Sequence, residues 1–158
     1  MNKINEISLS AVIACYKDEK AIPIMHQRLT EVFKKIGCKY EIIFVNDGSP
    51  DNSEQVLEEI CASDQSTTAI IHSRNFNSQN AFTSGMMQST GDAVILLDGD
   101  LQDPPELIEK FVEKWMQGYD VVYGSRVNRD TSKFMNYAYK IFYRLFNKVS
   151  YLEIPLDA

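Results

Sequence analysis

The sequence predicts an α/β domain in which a mostly parallel central sheet is flanked by helices. Three observations predict it. Short apolar runs alternate with segments of helical period along the chain, the pattern of a doubly wound fold. Turn-forming and acidic residues follow several of those runs, as expected where parallel strands end on one shared edge. The 158 residues, 44% of them apolar and 24% charged, suffice for one domain with its own core and speak against global disorder.

Leu9 to Ala14 reads as the first strand. Ala21 to Ile36 follows as a helix, with Ile24, Leu29, Val32, Phe33 and Ile36 at helical spacing and Gly37 as a stop signal. Glu41 to Val45 is the second strand, and Asn46-Asp47-Gly48-Ser49-Pro50 after it is a turn. Ser53 or Asp51 caps the next helix, which runs through Ala62. Ala69 to His72 is a third strand, Ala81 to Gln88 a helix, and Ala93 to Leu97 a fourth, buried strand. Pro105 to Gln117 is a helix, and Asp120 to Tyr123 a fifth strand. Three features fall at strand ends: Tyr16 to Glu19, Asp47-Gly48-Ser49 and Asp98-Gly99-Asp100. A parallel sheet gathers them into one cleft.

Composition excludes several classes. A net charge of −6 and a pI near 4.9 oppose a general nucleic-acid binder, whose affinity rests on cationic phosphate contacts. Cys15, Cys38 and Cys61 are odd in number and form no Cys-x-x-Cys pair. A disulfide framework or zinc site is therefore not expected, and a reducing cytosol is the default. Met1 to Ser10 lacks the apolar core of a signal peptide, and no run approaches the 18 apolar residues of a membrane span. No Gly-x-Gly-x-x-Gly follows the first strand and no Gly-x-x-x-x-Gly-Lys occurs, so neither a dinucleotide fingerprint nor a P-loop is present.

Asp98-Gly99-Asp100 is the most informative motif. Two aspartates at i and i+2 on one face of a strand end offer hard oxygen ligands to Mg2+ or Mn2+, which neutralise phosphate oxygens, and Gly99 permits close approach. The same tripeptide is also ordinary turn chemistry. Asp47 has a comparable alternative as an Asx turn before Gly48. Glu19 has one as a first-turn helix acid, and Arg126 as a surface ion pair.

Four stretches in order carry a resemblance to the family 2 glycosyltransferases, a nucleotide-sugar-dependent class with the Rossmann-like GT-A fold. They are Val12-Ile13-Ala14-Cys15-Tyr16-Lys17-Asp18-Glu19, Phe44-Val45-Asn46-Asp47-Gly48-Ser49, Asp98-Gly99-Asp100-Leu101-Gln102-Asp103-Pro104-Pro105 and Gly124-Ser125-Arg126. Asp-Leu-Gln-Asp-Pro-Pro and Ser73-Arg74-Asn75-Phe76 resemble the subgroup acting on polyprenyl phosphates, which includes bactoprenol glucosyltransferases and dolichol-phosphate mannose synthases. The resemblance implies that Asp47 hydrogen-bonds the nucleotide base, within a donor site formed by Ala14, Tyr16, Glu19, Asp47, Gly48, Ser49, Asp98, Gly99 and Asp100. It further implies that Asp98, Asp100 and Gln102 hold Mn2+ or Mg2+, and that Arg126 grips a phosphate. Asp157, a catalytic candidate together with Arg126, matches the first acid of a family stretch Asp-Ala-Gly-Asp-Phe, inside which the chain stops, and is the base that a hydroxyl acceptor would need; a loop carboxylate is the alternative. The chain departs from the family at Ala14 (usually Pro), at Lys17 (usually Asn), and at Asn77-Ser78, where Gly and a basic residue are common. Asn tolerates positive φ best among non-glycine residues, so the backbone there is expected to survive.

The implied reaction moves a sugar, with inversion, from a nucleotide sugar to polyprenyl (undecaprenyl) phosphate at the inner membrane face, UDP-sugars being favoured over GDP-sugars. A phosphate monoester is already anionic at neutral pH, so such an acceptor needs no general base, whereas a hydroxyl acceptor does. Transfer to a glycan or lipid hydroxyl, a binding module without activity, and an Asp-x-Asp phosphatase are the competing readings. Residues 1–130 form the donor-binding core and 131–158 an amphipathic helix opening the acceptor side. Lys133, Lys140, Arg144 and Lys148 fall on one helical face beside Phe134, Tyr137, Ile141, Phe142, Leu145, Phe146 and Val149. Such a segment suits either an anionic membrane surface, through 131–151, or packing on its own protein. The resemblance also implies membrane-anchoring segments in the full-length protein; homo-oligomerisation is left open.

Overall fold

The structure, a computed structural model, describes residues 6–124. Arg126, Asp157 and the amphipathic segment 131–151 lie outside the described residues. The chain divides into two compact units, Met1–Glu113 and Lys114–Ala158.

In the first unit the elements run β1 (Ser8–Cys15), α1 (Ala21–Ile36), β2 (Lys39–Asn46), α2 (Ser53–Ser63), β3 (Thr67–Ile71), α3 (Ser78–Gln88) and β4 (Ala93–Asp98). A 3-10 turn, Pro105–Leu107, leads into α4, Ile108–Met116. The strands form one parallel sheet in the order β3-β2-β1-β4, with Cys15 opposite Asn46 and Ala14 opposite Asp98. The chain builds outward from β1 to β3, then returns past β1 to lay down β4. That reversal sets a topological switch point at the carboxyl end of β1.

Alternation along the strands divides the core in two. Leu9, Ala11, Ile13, Ile42 and Phe44 are fully buried, as are Ile22, Met25, Leu29 and Phe33 of α1 and Leu57 of α2. On the other face Val12, Ala14, Ile43 and Val45 form a cluster with Ala81 of α3, flanked by Ile70 and Phe82. Gly85 lets α3 come this close, since a Cβ there would stand 2.2 Å from Val12 Cγ1.

Two sequence expectations need correction. The run Ala93 to Leu97 is not buried on both faces: Ile95 and Leu97 are buried, but Val94 and Leu96 stay 40% and 42% exposed. Among the described residues β4 pairs only with β1 and is an edge strand, and an unbroken apolar run carries no period to reveal that. Asp120 to Tyr123 forms no strand; its backbone is irregular and Val121 is 78% exposed. Valine propensity becomes a strand only where a partner edge supplies hydrogen bonds and side-chain neighbours. The parallel α/β architecture itself stands as read.

Candidate functional site

The loops after the four strands leave the same edge of the sheet, and each contains a residue in the left-handed region. Lys17 (φ 65°), Gly48 (φ 65°), Asn77 (φ 75°) and Leu101 (φ 63°) follow β1, β2, β3 and β4 in turn. Three of the four carry a Cβ, so this edge holds conformations that cost of order 1–3 kcal/mol each and persist only where the surroundings impose them. Asn77 keeps the positive φ that its glycine-like position requires, but at ψ 155° it occupies a region natural to glycine alone. Asn77→Gly is therefore expected to raise stability by about 1–3 kcal/mol, read as an upward shift in Tm of about 2–4 °C per kcal/mol; an unchanged Tm would show the loop to be unstrained.

Hydrogen bonds tie the loops together. Lys17 N donates to Ser49 Oγ at 3.0 Å and Ser49 N to Asn46 Oδ1 at 2.9 Å. Asn46, rather than Asp47, thus makes the side-chain turn before Gly48. Glu19 N donates to Asp51 Oδ2 at 3.2 Å while Asn52 N donates to Glu19 Oε2 at 3.1 Å, a reciprocal lock on the start of α2. Asp51 Oδ1 also takes the Ser53 hydroxyl and amide, satisfying the helix start from one residue before its N-cap, Asn52. Tyr16, 42% exposed, stands at the rim with Lys17 Nζ 5.1 Å from its ring centroid.

On one side of the end of β1 lies Asp47, 2% exposed. Its Oδ1 accepts the Phe76 amide at 2.9 Å and contacts His72 Nδ1 at 2.8 Å, while Oδ2 is buried without a hydrogen-bond partner among the described residues. Burial pushes this carboxyl up. The Phe76 amide and His72 outweigh it and hold the group below the usual carboxylate range, with a smaller pull from the Asn77 amide. A buried, ionised carboxylate oxygen without a donor is costly, and its natural complement is an N–H of a ligand.

On the other side is an acidic cluster. β4 ends at Asp98, and Asp100 lies in the turn beyond, so the two acids do not share a strand face as the spacing predicts. Gly99 N donates to Ala14 O at 2.8 Å, folding the turn onto β1, and Asp100 Oδ1 accepts Gln102 N at 2.9 Å. A Cβ at Gly99 would meet Cys15 Sγ at 2.8 Å and Ala14 O and Asp18 Oδ2 at 3.1 Å, so any side chain there would displace its neighbours. Asp18, which the motif reading passed over in favour of Glu19, faces this cluster. The carboxyl of Asp98 is raised by burial and then by Asp100, Asp103 and Asp18. That of Asp18 is raised by burial and by Asp100 and Asp51, against a lowering pull from the Tyr16 amide, which it accepts at 2.8 Å. Cys15 beneath them is buried and its thiol pushed far above its ordinary value, first by burial and then by Asp18, Asp98 and Asp51.

Carboxylates that raise one another this way suit a divalent cation, whose charge reverses the repulsion and whose preference is for hard oxygen. Among the described residues no three Asp, Glu, His or Cys side chains already stand together as a complete ligand set. The donors fit in kind and charge. Two strand spacings, about 10 Å, separate the ends of β2 and β4 across β1. The strand ends that lead to Asp47 and to the acidic cluster are separated by that interval.

Sequence reasoning missed Asp18, His72, Ser84 and Arg74, whose guanidinium lies 4.2 Å from the Phe76 ring centroid. A cavity of about 470 Å3, lined by Glu41, Ile43, Thr68, Ile70, His72, Ser84, Met87 and Gln88, lies under the α3 face. It runs toward the start of β2, away from the acidic cluster, so it is not the cleft just described. Among the described residues no helix is long and apolar enough to cross a membrane.

The family model described as glycosyl transferase family 2 matches residues 10–156. An undecaprenyl-phosphate 4-deoxy-4-formamido-L-arabinose transferase of Pseudomonas fluorescens is 45% identical over 127 residues, 80% of this chain and 37% of its own length. A bactoprenol glucosyl transferase of Shigella phage SfX is 37% identical over 145 residues, 91% of this chain and 47% of its own. The chain thus spans less than half the length of these relatives. Among solved structures, a mannosyltransferase from Pyrobaculum calidifontis in complex with GDP-Man and Mn2+ superposes with a TM-score of 0.61 at 17% identity, over 78% of this chain and 36% of the other. With the model covering nearly all of it and the parallel sheet superposing on such an enzyme, the chain belongs to the family 2 glycosyltransferases and has the GT-A fold.

Proposed function

We propose that this chain binds the donor for an inverting transfer of a sugar from a nucleotide sugar to a polyprenyl phosphate, undecaprenyl phosphate in the first instance. The observation that carries the reading is the presence, on either side of the end of β1, of a buried carboxylate with an unpaired acceptor oxygen and a cluster of mutually destabilised acids. Asp47 accepts an N–H of the base. Asp98 and Asp100, with Gln102 and with Asp18 behind them, hold Mn2+ or Mg2+ together with the diphosphate, since Mg2+ characteristically takes one or two carboxylates plus substrate phosphates. Tyr16 borders the base and ribose, while Gly48 lets the loop after β3 and Gly99 lets the end of β1 pack closely beneath the site. The bound cation supplies Lewis-acid neutralisation of the departing diphosphate.

Relatives named for undecaprenyl phosphate and bactoprenol support the acceptor. An anionic phosphate oxygen attacks without proton removal, so the chain's task reduces to positioning and charge stabilisation. Arg126 is assigned to the phosphate, Asp157 to the acceptor side, and 131–151 to the cytoplasmic membrane surface. UDP-sugar is preferred over GDP-sugar.

The test is direct. The protein is incubated with UDP- and GDP-sugars, Mn2+ or Mg2+, and undecaprenyl phosphate in detergent. A glycosylated phospholipid is expected. Transfer only to a hydroxyl acceptor overturns the acceptor assignment, and donor binding without turnover in the complete protein identifies a binding module.

A further inference from the structure

The geometry points to His72 as a positioning residue, anchored by Ser84, that fixes the Asp47 carboxylate so that its buried, unpaired oxygen is the one kept for the donor's base. This rests on reading the strand-end cleft as a nucleotide-sugar site. His72 lies just past β3, its side chain 12% exposed, and bridges two elements. Nδ1 is 2.8 Å from Asp47 Oδ1 and Nε2 is 2.9 Å from Ser84 Oγ, in the body of α3. Because an ionised carboxylate only accepts, Nδ1 donates to Asp47, and Nε2 pairs with the Ser84 hydroxyl, which can donate or accept. The imidazole is thus held at both nitrogens, between Ser84 and Asp47. The Phe76 ring meets the imidazole edge-on, centroids 5.5 Å apart at 85°, and restrains its tilt.

The consequence lies in Asp47. Its Oδ1 is occupied by two donors, one a backbone amide and one the imidazole, while Oδ2 has none. A carboxylate held by the amide alone can turn about its terminal torsion, which is broad and nearly two-fold. The imidazole removes that freedom and leaves Oδ2 as the acceptor before the nucleotide arrives, so less ordering is lost on binding. The same series of groups serves elsewhere to activate a serine nucleophile. Here Ser84 sits within a helix whose amides are spent on helical bonds, leaving no donor pair for an oxyanion.

The experiment measures calorimetric affinity for UDP, GDP and inorganic diphosphate, each with Mn2+, in the wild-type protein and in His72→Ala, His72→Asn and Ser84→Ala. Melting curves check that each variant folds. The wild type is expected to bind one nucleoside diphosphate more tightly than diphosphate. His72→Ala loses about tenfold in that nucleotide affinity, the scale of a hydrogen bond to a charged group, with no change for diphosphate. His72→Asn retains most of it, because its amide N–H replaces Nδ1–H, and Ser84→Ala falls between. If His72→Ala does not fold, the comparison of His72→Asn with Ser84→Ala carries the same ordering. Unchanged nucleotide affinity in the variants, or equal loss for nucleotide and diphosphate, overturns the positioning role while leaving the donor site intact. A wild type that binds neither UDP nor GDP more tightly than diphosphate removes the donor-site reading and this role with it.

Discussion

Under the proposed function, replacing Asp100 with alanine is expected to abolish the effect of Mn2+ on UDP binding and to lower sugar transfer by about 10^2- to 10^4-fold. A cation on a departing diphosphate is worth several kcal/mol, and each 1.36 kcal/mol is tenfold in rate. The same substitution leaves the metal-free fold as stable as before or more so, because Asp100 raises the carboxyls of both Asp18 and Asp98. The sign follows from linkage. A carboxyl raised in the fold holds more protons than when unfolded, so its contribution worsens as pH climbs from the unfolded value, near 4, through the folded one. Removing a like charge shrinks that loss. Asp47, Asp51 and Asp64 are lowered instead, and what they contribute is present above the unfolded value and disappears on acidification. Thermal melts with and without Mn2+ between pH 4 and 8 read both effects. If Mn2+ raises the Tm of Asp100→Ala as much as that of the wild type, Asp100 is not a ligand.

Gly48→Ala is expected to destabilise the protein by about 2–5 kcal/mol, combining a left-handed backbone (1–2 kcal/mol) with overpacking (1–3 kcal/mol). The new Cβ would lie 2.4 Å from the carbonyl carbon of Arg74, 2.6 Å from its Cα and 2.8 Å from Asn75 N. These are backbone atoms, so no side-chain rotation relieves them. The loop after β3 must move, taking with it the Phe76 amide that holds Asp47. Nucleotide binding is therefore lost along with stability, even at temperatures where the variant is folded. Gly118→Ala is the control: its φ is 97°, but nothing lies within 4 Å of the added Cβ. The difference between the two variants in Tm isolates the clash, and equal Tm losses would show that the close approach of the two loops is not real.

Element order and the shared edge were legible in the sequence because each rests on a local pattern. Period 3.6 in Ala21–Ile36, apolar runs of strand length and turn formers after them suffice for a parallel α/β reading. What escaped was set by partners distant in sequence. Glu19 and Asp18 are adjacent acids in one loop, and only the left-handed turn at Lys17 decides that Asp18 faces Asp98 while Glu19 secures α2. Asp47, His72 and Ser84 are 25 and 12 residues apart, and nothing in the spacing of a lone histidine announces such a bridge. The fifth strand failed because Val121 and Val122 supply propensity without a neighbour. Asn46 took the turn role that Asp47 was equally suited to, and thereby left Asp47 for the buried position.

The switch point at the end of β1 has a thermodynamic consequence. A ligand that joins the Asp47 side to the acidic side fastens the ends of β2 and β4 to each other across β1, closing a loop that the chain itself leaves open. Such a molecule acts as a non-covalent cross-link. By mass action, donor at 100 times its Kd adds about 2.7 kcal/mol to the folded state. If the proposed donor site holds, the edge of the sheet that carries the left-handed residues after all four strands is the edge that bound nucleotide sugar reinforces, and the Tm of the protein is expected to rise with donor concentration.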